Sequence, residues 1–162
     1  MIGRYAVLAG RIRQDLSELE RVAARAEQAM RAYQERDEDR DLLVDAAALN
    51  VHDFYTGLER IFTRVATTLD QTLPAGPEWH RELLKQMAVE IPGLRPAVLT
   101  PELVADVDEF LRFRHVVRHL YAFELDPERI DRLVHRLGPT SRALLAALAS
   151  FATALEMMAE AG

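Results

Sequence analysis

Residues 4–35 read RYAVLAGRIRQDLSELERVAARAEQAMRAYQE, and the spacing of their apolar side chains decides the fold class. Leu8, Ile12, Leu16, Leu19, Val22, Ala23, Ala26, Met30 and Tyr33 recur three and four residues apart. That is the period of one face of an α-helix, about 3.6 residues per turn. The charge-dense run Glu35–Asp41 carries no apolar side chain and reads as a solvated connection. Beyond it, Leu49, Phe54, Leu58, Ile61, Phe62, Val65 and Leu69 predict a second helix over about Leu42–Thr72, stopped by Pro74, Gly76 and Pro77. A short helix over about Glu78–Val89 follows, then an irregular connection, Ile91–Pro96. Thr100 suits an N-cap and Pro101 the first helical position, so a fourth helix runs from there to about Ala122. Asp126 and Pro127 open a fifth in the same way. Gly138-Pro139 is expected to end or kink it, with Thr140–Glu160 continuing as helix. No segment alternates as a strand would. The expectation is one all-α domain over residues 1–162. It is an up-and-down helical bundle of four to five main helices plus one short helix.

Composition narrows the function classes. The chain has 162 residues, 49% of them hydrophobic, so a real core is within reach. It contains no cysteine, which excludes disulfides, thiolate zinc sites and thiol catalysis. The net charge is -6, so the global charge is not that of a typical nucleic-acid binder, and any polyanion site must be local. The apolar run Tyr5–Gly10, flanked by Arg4, Arg11 and Arg13, is too short for a secretory signal. The least charged stretch, Ala143–Leu155, falls short of the roughly 20 residues that span a bilayer and reads as a bundle helix. A cytoplasmic protein without a membrane partner is the expectation. The glycines are scattered and form no phosphate-cradling loop, which disfavours a nucleotide-triphosphate enzyme.

Residues 111–121, LRFRHVVRHLY, carry the candidate chemistry. On a helix at about 100° per residue, Phe113, Val116, Val117 and Leu120 gather on one side. That side is expected to face the core. Arg112, Arg114, His115, Arg118, His119 and Tyr121 fall on the other half, and only Leu111 breaks the pattern. No acid occurs between Glu109 and Glu124, although acids outnumber bases 26 to 20. An ordinary solvated face would interleave glutamates for i,i+4 pairing. Something anionic is therefore expected to compensate, either an acidic helix of the same chain or phosphate. Arginine offers a planar fork to phosphate oxygens, and histidine titrates near neutrality. Two histidines can cleave RNA without metal, because the 2′-hydroxyl supplies the nucleophile. His115 and His119 are spaced as zinc-binding histidines can be, but Val116 stands where a metalloprotease needs glutamate. No Glu-x-x-His pair occurs, so neither a metal nor another cofactor is expected. Asp53, Tyr55 and Glu59 share parts of one second-helix face and are candidates to support the arginine helix. His52, His80 and His135 have no partner at any telling spacing, and Trp79 reads as a core anchor.

The run Arg114-His-Val-Val-Arg-His119-Leu-Tyr121 resembles the Arg-x4-His-x-Tyr signature of HEPN-domain ribonuclease toxins, specifically the HepT-like group. His115 fits the polar residue that follows the arginine there. The run His52–Phe62 looks like the second-helix pattern of that group, and Trp79–Met87 and Ile91–Pro96 also look familial. The resemblance covers roughly Asn50 to Leu137. It implies a homodimer whose two motif helices line one cleft, with His119 as acid/base residue and Arg114 as phosphate ligand. His115, Arg118 and Arg112 would support them, with Asp53 and Glu59 behind. Arg112 stands on nearly the same helix face as His119, so the choice between Arg112 and Arg114 stays open. The substrate implied is RNA, with cyclic 2′,3′-phosphate and free 5′-hydroxyl ends as products. The partner implied is a minimal nucleotidyltransferase antitoxin that transfers AMP to Tyr121. The competing reading is a non-catalytic HEPN-like module that binds nucleotides or proteins. A plain structural bundle would instead pair Arg114, Arg118 and His119 internally with acids.

Overall fold

The computed structural model describes residues 2–119 and 125–162, without the side chains of Arg118 and His119. Among the described residues the architecture is all-helical, with a single isolated bridge between Ile91 and Arg95. The elements are α1 (Ile2–Glu35), α2 (Arg40–Val65), α3 (Trp79–Met87), α4 (Pro101–His119) and α5 (Pro127–Ala161). The long helices α1 and α5 have 34 and 35 residues and form the body of the bundle. α1 packs most extensively against α5 and α2. The short α3 and the N-terminally capped α4 lie against α2, and they are the elements that build the site.

The start of α4 follows from its sequence. The Thr100 hydroxyl accepts a hydrogen bond from the Leu103 amide at 3.2 Å, which satisfies a donor the helix itself cannot. Asp126 does the same for the Glu128 amide at 3.1 Å, at the head of α5. The second helix departs from expectation near its end. The α-helical ladder stops at Val65, and Ala66–Asp70 continue as one wider π turn. Gln71 then closes it with φ 54°, in the left-handed region.

Of the two outcomes expected at Gly138-Pro139, an end or a kink, the first does not occur: α5 runs from Pro127 to Ala161 with Pro139 inside it. Proline removes one backbone donor from a helix but not its neighbours'. Here the Ser141 hydroxyl donates to the Gly138 carbonyl at 2.9 Å. Gly138 is also a point of close approach, since a Cβ there would stand 2.8 Å from Oε1 of Glu27 on α1. Because the helix is continuous, α5 is long and apolar enough, by length and composition, to cross a bilayer. Its Leu144, Leu148, Phe151, Ala152 and Leu155 are instead buried in the protein's own core.

The connection from α2 to α4 is held from inside. Arg95, whose side chain is 0% exposed, donates to both carboxylate oxygens of Asp70, at 2.6 and 2.8 Å. It also donates to the carbonyls of Val89, Pro96 and Gln86. Tyr5 at the start of α1 donates to the Leu94 carbonyl at 3.0 Å, tying the loop to the body.

Candidate functional site

The face that α4 turns inward is not the one its last turn predicts. Val107, Phe110, Leu111, Phe113 and Arg114 are buried, while Val116 and Val117 are half-buried. With Arg114 at zero, Val107, Phe110 and Leu111 lie within about 60° of it. Arg114 therefore sits in the middle of the buried face, 6% exposed, and not on the solvated half. Leu111, the one residue that broke the expected pattern, marks this face. The aromatic contact between Phe110 and Phe54 of α2, 6.5 Å between ring centres, fixes the helix rotation.

A buried arginine needs partners, and α2 and α3 supply them. Nη2 of Arg114 lies 3.7 Å from Oε1 of Glu59 on α2. Nη1 donates to Nε2 of His80 on α3 at 3.3 Å. Nδ1 of His80 is 2.6 Å from Oε2 of the same Glu59. The three side chains are 7%, 9% and 12% exposed for Arg114, His80 and Glu59. They close a ring of one cation, one carboxylate and one imidazole. Among the described residues Nε of Arg114 is buried without a partner. Tyr55 is buried one turn before Glu59, and burial first, then the Glu59 carboxylate, raises its phenol well above the ordinary range.

His80 is the residue sequence reasoning missed. Its partners come from other helices, so no spacing in the chain reveals them. One signal was present: His80, Leu83, Leu84 and Met87 form the buried face of α3, with histidine at an apolar position. Trp79, expected as a core anchor, is half-buried and stacks on His80 with ring centres 3.5 Å apart. The ring of His115 meets His80 edge-on at 5.7 Å. Burial pushes the pKa of His80 below its ordinary 6.5, and Arg114 and His115 push the same way, against Glu59.

The remaining candidates separate. Arg112 is exposed and ion-paired to Asp108, which also accepts from Arg81 of α3 at 3.3 Å. His115 is exposed on the solvent side of α4, three residues beyond Arg112 and so on the same face. Position 119 follows four residues later on that face, at the end of α4. The side chains of Arg118 and His119, and all of Tyr121, lie outside the described residues. Glu59 thus meets Arg114, whereas Asp53 does not: it is half exposed and its nearest ionic neighbour is His52, at 3.8 Å. Among the described residues no group of three or more histidines and carboxylates could hold a metal ion.

A family profile described as HepT-like protein matches residues 46–155, more than half of the chain, and spans both Glu59 and the 114–119 run. No curated protein and no solved structure matches.

Proposed function

The chain belongs to the HepT-like family of HEPN-type helical proteins, and on that premise we propose that it is a metal-independent endoribonuclease, the toxin of a toxin–antitoxin pair. The observation that carries this reading is the motif helix itself. Arg112 and His115 share its solvent face, position 119 follows in the same helical register, and Arg114 behind them is locked by Glu59 and His80. In the proposed reaction His119 of one protomer removes the 2′-hydroxyl proton. The O2′–P bond forms, the P–O5′ bond breaks, and the imidazolium of the second protomer gives its proton to the leaving O5′. A guanidinium stabilises the charge gathering on the phosphoryl oxygens. In the described conformation Arg112 faces solvent and Arg114 does not. Arg112 therefore meets phosphate first, and Arg114 holds the helix or reaches the phosphate only by leaving Glu59. AMP transfer to Tyr121 by a nucleotidyltransferase antitoxin would add bulk and negative charge to this cationic face and oppose RNA.

A second reading has one observation in its favour. Arg114 is buried and internally paired with an acid, the pairing expected where this face is structural and does not cleave. RNA cleavage in EDTA by wild type and by His119→Ala separates the two, with intact mass recorded to exclude modified Tyr121. Cutting by wild type alone supports the ribonuclease. If an unmodified, folded wild type cuts nothing, the non-catalytic reading takes its place.

A further inference from the structure

Beside the motif face, along the seam of α4 and α5, runs a groove of about 620 Å³. Glu109 and Arg112 line it from α4, and Arg129, Arg132, Leu133 and Arg136 from α5. Four arginines against one carboxylate is the reverse of the whole chain, where acids outnumber bases 26 to 20. Glu109 pairs with Arg136, and Arg112 with Asp108. Among the described residues Arg129 and Arg132 make no ion pair. Arg129, Arg132 and Arg136 are three and four residues apart, so they stand on one helix face. They span about 10 Å along it, enough to face more than one backbone phosphate.

Two physical arguments make this more than a solvated face. Arg129 stands in the first turn of α5, where the helix dipole presents its positive end and disfavours a cation. An anion in the groove relieves both that and the mutual repulsion of the guanidinium groups. The groove is also continuous with the motif face. Glu109 and His115 lie about 60° to either side of Arg112 around α4, so a strand crossing Arg112 passes from one to the other.

We propose that this groove carries the phosphodiester backbone of RNA flanking the scissile bond, with Arg129, Arg132 and Arg136 as phosphate ligands. The proposal rests on the ribonuclease reading above and adds a binding surface that the motif does not contain. An acidic protein segment is the rival occupant. RNA is favoured because the groove opens onto the face where a reacting phosphate would sit.

The test is fluorescence anisotropy with labelled single-stranded RNA, in EDTA, in a His119→Ala background so that the probe stays intact. Each of Arg129→Gln, Arg132→Gln and Arg136→Gln should flatten the log Kd against log salt slope by about 0.7. At 0.1 M salt that is an affinity loss of about fivefold per arginine. Arg132→Lys keeps the charge and should keep the slope, which guards against a folding artefact. Unchanged affinity and slope in all three Gln variants overturn the proposal. An equal loss of binding to poly-glutamate makes the groove a general anion surface and overturns the RNA assignment. If RNA affinity falls as expected but wild type does not cleave RNA, the groove stands and the ribonuclease reading fails.

Discussion

Hydrogen-bond direction at His80 is dictated by its neighbours. A guanidinium only donates, so Nε2 facing Arg114 must accept. The proton then sits on Nδ1 and is donated to Glu59. Protonating Nε2 would set N–H against N–H. In the folded chain the ring charges only below its ordinary 6.5, while unfolded it charges near that value. Between those two points the unfolded chain holds the extra proton. Stability from this group is therefore complete above about pH 6.5 and declines as pH falls through the window below it. Thermal melts across pH should show that decline in wild type. His80→Gln, whose amide can still accept from Arg114 and donate to Glu59, should lose it. An identical decline in both proteins would place the acid sensitivity elsewhere. None of this was legible locally. The motif, its histidines and its arginines could be read from residues 111–121, but the last turn alone misplaces the core face by roughly a quadrant. Val107 and Phe110, a turn and more upstream, settle the burial of Arg114, and His80 lies on another helix altogether.

At the scale of elements, what could be read was what the chain encodes within four residues. Thr100-Pro101 and Asp126-Pro127 announce α4 and α5 because capping is local chemistry. The π turn Ala66–Asp70 and the passage of α5 through Pro139 are set by tertiary packing and carry no such mark. The same holds for the Arg95–Asp70 pair, which joins the end of the second helical run to the loop before α4. Gln86 of α3 also donates to Asp70, at 2.7 Å, so one carboxylate gathers three segments. Asp70→Ala would leave a buried guanidinium without its counter-charge, at a cost of about 3–5 kcal/mol. Urea unfolding should show that loss as a lower midpoint with an unchanged slope. A loss near zero would mean that the backbone carbonyls around Arg95 suffice.

For the whole molecule, the proposed acid–base scheme needs two histidines at one phosphate, and each chain brings one His119. Sedimentation equilibrium should therefore give a particle of twice 18.3 kDa at working concentrations. A monomer that still cleaves RNA would sink the shared-cleft mechanism. The bundle's body is α1 with α5 and α2, while the solvent face of α4 stands apart from that packing. Such a division makes the chain easy to disarm without dismantling it. Exchanges at Arg112 or His115 remove exposed side chains and leave the core intact. Under the proposed toxin reading, a lineage pressed by this activity can thus drift toward inert, well-folded copies. On the same proposal, such copies would still occupy an antitoxin and pair with active protomers, and so act as decoys where a broken gene could not.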